Sequence, residues 1–428
     1  VDELAAITAK AERDAHEDRL AREVRAVGLE LSRGIASGKS AAELVEKAAD
    51  KLGRLRPVVT ERPPRFSVDS VLADMRNQPP ALKTGWATLD DLLEARFVPG
   101  ELTMVAARTG HGKTAAMANL AWRWLKTERA AVLVFSAEEP VDRWMCRLGA
   151  LASVDLMNRK DGTWSKGRRA WTVAELRDVW AGGRGSRTHY NWPGLSEDVV
   201  ADSLRSHEDR LQIAWSTAWT GADIAVEAER WADEHGPPAA VLVDYVQKLA
   251  PPRSGPGKRA ADRRDIEVSL TARELKSLAV RLRCPVVTGA QLNRAAIGKD
   301  DREKLGACAD LEAAIKRLSA NRPGLHHLRE GGLEQEADMV LAVMNYAADW
   351  GEMLKAGGEA KRRGCGAATV RMDVGLLKSR YGATGNWAPM DWTGAQNLLA
   401  DPAGGVAAPS TEGPDEDDED QPTRFNVE

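Results

Sequence analysis

The sequence predicts an α/β protein built on a mainly parallel sheet with helices on both faces. A short all-α region precedes that core and a disordered acidic tail follows it. Three observations lead there. Short β-branched apolar runs bounded by turn residues (Leu102–Ala107, Val132–Phe135, Val241–Val243 and Val286–Thr288) recur along the middle of the chain. Helical stretches lie between them, and such alternation places parallel strands beneath crossover helices. Residues 400–428 are rich in Pro, Gly and acids and hold too little apolar surface to fold.

Residues 1–57 read as helices. Ser40 and Glu43 make a capping box, after which Leu44, Ala48, Leu52 and Leu55 share one helical face. A block of about 60 residues buries little by itself, so this region is expected to associate with something. Residues 58–81 form a linker: a stretch rich in Pro and Arg at 58–65, a short helix from Ser67 to Arg76, then Pro79-Pro80. The main domain, 82–399, carries the four strands. Its clearest helix runs from Leu270 to Arg283, with Leu275, Leu278 and Leu282 in register. Residues 158–196, with their Gly, Trp and Arg, interrupt the alternation and read as an insertion or long loop.

Composition narrows the function classes. A chain of 428 residues allows two or three domains. At 43% hydrophobic and 29% charged it is not wholesale disordered. No apolar run approaches the roughly 20 residues of a membrane-spanning helix. The start, Val1-Asp2-Glu3, lacks the apolar core of a secretory signal. Cys146, Cys284, Cys308 and Cys365 lie far apart with no C-x-x-C pair, which excludes the usual zinc spacings and suits the cytoplasm. The net charge of −4 conceals an uneven distribution, because residues 412–428 hold eight acids against Arg424 alone. The remaining body is weakly basic and compatible with nucleic-acid binding.

The strongest local signal is Ala107-Arg108-Thr109-Gly110-His111-Gly112-Lys113-Thr114, between a strand and a helix. Gly110 and Gly112 would let backbone N–H groups turn towards phosphate oxygens at the helix N-terminus. Lys113 supplies positive charge to the β- and γ-phosphates of ATP, and the Thr114 hydroxyl is a ligand for Mg²⁺. The full pattern G-x-x-x-x-G-K-[ST] has Ala107 in place of its first glycine. Val241-Leu242-Val243-Asp244 is a strand ending in a carboxylate, suited to hold the metal through water. Glu138 and Glu139 both follow the strand Val132–Phe135, and spacing leaves open which would polarise the attacking water. Gln291, after the strand Val286–Thr288, is a candidate γ-phosphate sensor. The basic segment from Arg253 to Arg264, with Lys258, Arg259, Arg263 and Arg264, suits contacts to a nucleic-acid backbone.

These pieces together resemble the C-terminal motor domain of the DnaB-type replicative helicases over Leu82–Leu399. Thr84-Gly85-Trp86-Ala87-Thr88-Leu89-Asp90 resembles the family's T-G-F-x-x-L-D, and Ala106 to Thr114 its A-A-R-P-S-M-G-K-T. Phe135-Ser136-Ala137-Glu138 resembles F-S-L-E, which selects Glu138 as the base. Asp244-Tyr245-Val246-Gln247 resembles D-Y-L-Q, and Gln291-Leu292-Asn293-Arg294 resembles Q-L-N-R. Arg329-Glu330-Gly331-Gly332 with the following Leu333 to Asp338 resembles R-E-S-G-S-I-E-Q-D-A-D, one residue shorter. Lys378-Ser379-Arg380-Tyr381-Gly382 resembles K-x-R-N-G.

The resemblance implies a RecA-like P-loop NTPase core that uses ATP and Mg²⁺. It implies that Arg329, Glu330 and Gly332 grip single-stranded DNA, and that Lys378 and Arg380 reach the γ-phosphate held by a neighbouring subunit. It further implies a homohexameric ring moving 5′ to 3′ on single-stranded DNA and unwinding duplex during replication, with a helicase loader or primase as possible partners. Residues 1–57 resemble at most the last helical hairpin of the family's longer N-terminal domain, and Phe66 to Met75 resembles the helix that docks on the adjacent motor. The enzymatic alternative is a recombination ATPase of the RadA kind. The non-enzymatic one is a helicase-derived protein that binds ATP or DNA without unwinding.

Overall fold

Strands that run apolar at every position are stable only with both faces covered, and that requirement organises this molecule. The computed structural model describes residues 26–402, apart from 36, 39, 55–66, 93, 95, 129, 159–169, 183–194, 252–263, 294–307, 309–310, 321, 330–331 and 349–368. Residues 1–25, the linker stretch 58–65 and the acidic tail beyond 402 lie outside the described residues. The described chain falls into two units, one up to Asn77 and one from Gln78 onward.

In the first unit, helix 26–35 is followed by helix Ala41–Arg54, which begins directly after Ser40. Among the described residues Val27, Gly34, Leu44 and Ala48 are buried here, and Gly34 leaves room for the Leu44 side chain. A third helix, Val68–Arg76, is capped by the Ser67 hydroxyl, which accepts the Ser70 N–H. Its apolar residues Val68, Val71, Leu72 and Met75 are all exposed.

The second unit opens with a two-stranded antiparallel ribbon, β1 (Leu82–Lys83) with β2 (Arg96–Phe97). The motif between them is a folded turn. The Asp90 carboxylate accepts the Thr84 N–H (2.8 Å), the Thr84 hydroxyl (2.7 Å) and the Gly85 N–H (3.1 Å).

The main sheet contains β3 (Leu102–Ala107), β4 (Val132–Ser136), β5 (Leu211–Trp215), β6 (Ala240–Asp244), β7 (Val286–Gln291), β8 (Met339–Asn345), β9 (Val370–Lys378), β10 (Trp387–Thr393) and β11 (Leu398–Ala400). Their order across the sheet is β11-β10-β9-β8-β3-β7-β6-β4-β5. The block from β8 to β5 is parallel, whereas β9, β10 and β11 continue antiparallel from β8. Alternate residues of β3 face opposite layers. Val105 and Ala107 pack towards helices Lys113–Arg123 and Val141–Met157, and Met104 and Ala106 towards helices Gly221–His235 and Arg264–Leu282.

The fold class is as the alternation requires, and the strand β3 has the bounds read from sequence. Strands β4, β6 and β7 run slightly longer than their apolar runs. The helix expected from Leu270 begins earlier, at Arg264. The stretch 158–196 is not simply a loop. It contains helix Val173–Trp180, started by a capping box in which Thr172 and Glu175 satisfy each other's backbone N–H groups.

Candidate nucleotide site

Strand β3 ends at Ala107, and the chain turns through residues 108–112 into helix Lys113–Arg123. Gly110 and Gly112 have φ of +80° and +88°, and Gly112 is the N-cap of that helix. Side chains rarely adopt this backbone region, so both glycines are needed for the turn that aims N–H groups outward. Arg108 and Thr109 line the resulting cleft. His111 does not, because it is buried and its Nδ1 accepts the backbone N–H of Asn345 at 3.2 Å.

Lys113 reaches along β7. A Cβ at Gly289 would come within 2.8 Å of Lys113 Cδ, so the glycine makes room for the lysine stem. The ammonium lies over the Tyr245 ring and 3.7 Å from Asp244 Oδ1. Burial pulls its pKa down to about 8, against the opposing pull of the Asp244 and Glu138 charges.

Asp244, at the end of β6, is fully buried, and burial pushes its carboxyl up. Its Oδ2 accepts the Thr114 hydroxyl at 2.9 Å, while Oδ1 has no hydrogen-bond partner. An unsatisfied buried acceptor costs about 1–3 kcal/mol. A hydroxyl and a carboxylate presenting an unsatisfied oxygen fit Mg²⁺, a hard cation that takes oxygen donors and keeps waters. Thr114 and Asp244 are the residues that would hold it.

The two acids after β4 part company. Glu139 is bound through both oxygens to Arg147 (2.6 and 2.9 Å), and Arg147 also donates to Asn397 Oδ1 at 2.7 Å. Glu138 is exposed on the same cleft. Gln291 sits at the end of β7, where its Nε2 donates to Thr109 Oγ1 (2.5 Å) and its Oε1 accepts from Arg329 Nη1 (3.1 Å). Thr109, Gln291 and Arg329 therefore form a chain from the phosphate loop to the Arg329 turn.

The cleft encloses about 330 Å³ and is also lined by Arg147, Trp392 and Asn397, none of which the sequence singles out. No local motif marks these three. Gly289 is legible, as a lone glycine inside an apolar strand.

The remaining candidates lie elsewhere. Lys378 pairs in register with Val340 at the start of β8, whereas Asn345 at the end of β8 lines the cleft. Lys378 Nζ donates to the Glu334 carbonyl at 2.5 Å, and Arg380 Nη2 lies 2.7 Å from Asp338 Oδ1. Both are thus at the opposite end of the sheet from Lys113. Gly332, with φ of +102°, caps helix Leu333–Glu336. Arg264 starts its helix and donates to the Gln247 carbonyl (2.6 Å) and to Glu267 (3.1 Å). Glu330, Lys258, Arg259 and Arg263 lie outside the described residues.

Among the described residues no helix is long and apolar enough to cross a membrane. Comparison with known proteins identifies the architecture. The family model for the DnaB-like helicase C terminal domain matches residues 81–396. The replicative DNA helicase DnaB of Haemophilus influenzae is 28% identical over 262 residues, covering 61% of this chain and 45% of that protein. The DnaB of Pasteurella multocida is 27% identical over 264 residues, covering 61% and 46%. The chain thus spans a little under half the length of these curated relatives.

A solved DnaB-like replicative helicase, described with its interactions with primase, superposes with TM-score 0.60 at 15% identity. That match covers 91% of this chain and 77% of the other. A second solved structure, described as an ATPase domain, superposes with TM-score 0.55 at 18% identity, covering 78% and 98%. At those identities the structures speak for the fold, a RecA-like α/β core. With Lys113, Glu138 and Gln291 lining one cleft, Thr114 bonded there to Asp244, and the family model spanning residues 81–396, the chain belongs to the DnaB-like helicase family.

Proposed function

We propose that this chain is an ATP-hydrolysing DNA helicase motor that assembles as a homohexameric ring. On this reading it moves 5′ to 3′ along single-stranded DNA and unwinds duplex during replication. The observation that carries it is the meeting of Lys113, Thr114, Asp244 and Glu138 in one cleft at the carboxyl ends of parallel strands. Lys113 would neutralise the γ-phosphate, and Glu138, exposed and near enough to feel the Lys113 charge, would orient and deprotonate the attacking water. Mg²⁺ held by Thr114 and Asp244 would supply charge neutralisation between the phosphates.

Movement on DNA needs the nucleotide state to reach the DNA-binding turn. The hydrogen bonds from Thr109 through Gln291 to Arg329 supply a direct connection, and Arg329 suits a backbone phosphate. Ring formation is supported by the exposed apolar face of helix Val68–Arg76 and by Lys378 and Arg380, which lie away from their own cleft. A loader or primase partner belongs to the same reading, since the DnaB-like helicase noted above is described with primase.

The test is unwinding of a forked DNA substrate together with the mass of the ATP-bound assembly. Duplex opening by a six-subunit species is expected. ATP hydrolysis by a monomer without strand separation would overturn the reading.

A further inference from the structure

The turn after β9 carries Arg380 on an exposed surface, yet it is fastened at three points. Lys378 Nζ holds the Glu334 carbonyl, Arg380 Nη2 meets Asp338 Oδ1 at 2.7 Å, and the Tyr381 hydroxyl donates to Glu101 Oε1 at 2.8 Å. The anchors are rigid. Asp338 and Glu101 are both buried. Asp338 Oδ2 accepts the Leu102 N–H at 2.7 Å, and Lys276 bridges the same oxygen to the Gly100 carbonyl. Leu102 is the first residue of β3, whose other end is the phosphate loop. The guanidinium is fixed on one side only, since the Arg380 side chain remains 55% exposed.

A long cationic side chain on an open surface would otherwise sample many rotamers, and a projecting phosphate ligand works best when that freedom is already spent. We propose that Asp338, Glu101 and Tyr381 are positioning residues that hold Arg380 in the orientation in which it enters the neighbouring subunit's site. The inference rests on the proposed trans action of Arg380. It assigns a task to Tyr381, which stands where the resembling pattern K-x-R-N-G has Asn.

The test measures kcat and KM for ATP in the full chain under assembling conditions. Tyr381→Phe removes only the hydroxyl of a residue that is 73% exposed, so it leaves the core intact. It should lower kcat about 2–10-fold with KM unchanged, the range for one neutral hydrogen bond. Asp338→Asn, which removes the charge that Arg380 meets, should lower kcat about 5-fold, the upper range for an ion pair with an exposed partner. Mixing Tyr381→Phe with Lys113→Ala subunits, which donate intact turns, should raise turnover per Tyr381→Phe subunit. A merely structural defect would not be relieved that way.

Wild-type kcat in Tyr381→Phe and Glu101→Gln, with Arg380→Ala inactive, would overturn the positioning role and leave the trans reading standing. So would a kcat defect that Lys113→Ala subunits fail to relieve. Wild-type turnover in Arg380→Ala would overturn the trans reading and the inference with it.

Discussion

The two ends of the central sheet hold the same kind of pair, a cation against a buried aspartate, and set it to different uses. At the carboxyl end Lys113 is drawn in, 12% exposed and 3.7 Å from Asp244. At the amino end Arg380 projects, 55% exposed and 2.7 Å from Asp338. The first lines a cleft that already has a carboxylate and a hydroxyl for a metal. The second stands on an exposed turn after β9. Strand β3 connects the two, its start held by Asp338 and its end leading into the phosphate loop, a separation on the order of 15–20 Å. Under the proposed function these are two halves of a site that one chain cannot close on itself.

Substitution of either cation should act most strongly. Arg380→Ala should bind ATP nearly normally and hydrolyse it about 10³–10⁵-fold more slowly, the range for arginine fingers. Lys113→Ala should lose turnover by about 10²–10³-fold or more and also weaken ATP binding, because its charge is needed before any transition state forms. Equilibrium nucleotide titration beside steady-state hydrolysis separates the two cases. If Arg380→Ala lost ATP binding as Lys113→Ala does, the ends of the sheet would not be separate halves.

Within the cleft two adjacent carboxylates are set apart by their partners. Glu138→Gln should keep ATP binding and lower turnover by about 10²–10⁴-fold, since an amide cannot take the proton of water. Glu139→Gln removes one partner of a partly exposed ion pair with Arg147, 2.6 Å apart. Its effect should stay within about tenfold. The reverse ranking in a single-turnover assay would move the base to Glu139.

Arg329 lies at the far end of the hydrogen-bond chain from Thr109. Arg329→Ala should lower the salt dependence of single-strand binding by about one in the logarithmic slope, as for one phosphate contact. Basal hydrolysis should persist while its stimulation by DNA falls. An unchanged slope across a salt titration would make the Arg329–Gln291 bond structural.

The carboxyl end is far more legible in the sequence than the amino end. Strand, loop, helix and strand-end acids are local patterns, so Lys113, Thr114, Glu138 and Asp244 can be read from short windows. Spacing cannot choose between Glu138 and Glu139, because what distinguishes them is the hold of Arg147, on the following helix, on Glu139. Asp338 falls within a motif that gives it no role, since its partners at Leu102, Lys276 and Arg380 come from three distant parts of the chain. Trp392 and Asn397 enter the cleft by the same non-local route, from β10 and the turn that leads into β11. Helix Val173–Trp180 is a different case. Its Thr172–Glu175 capping box is present in the sequence but is outweighed there by the Gly- and Trp-rich surroundings.

The two cations also differ in their chemistry. A guanidinium stays charged throughout the accessible pH range, whereas the Lys113 ammonium, pulled down to about 8 by burial, does not. Below that value the lysine is charged and ready for a phosphate. Above it the empty site holds a neutral amine, and ATP binding must take up a proton. The acids facing Lys113, namely Asp244, Glu138 and Glu139, oppose the loss of charge but do not offset its burial. The apparent ATP affinity should therefore fall about twofold between pH 7 and 8 and about tenfold by pH 9, from the fraction of protonated lysine. Calorimetry in two buffers of different ionisation enthalpy should register the proton uptake directly. Arg380→Ala should keep this profile unchanged, and Lys113→Arg should flatten it. A profile that shifts with Arg380→Ala would tie the two ends of the sheet together within one subunit, against the division that their geometry supports.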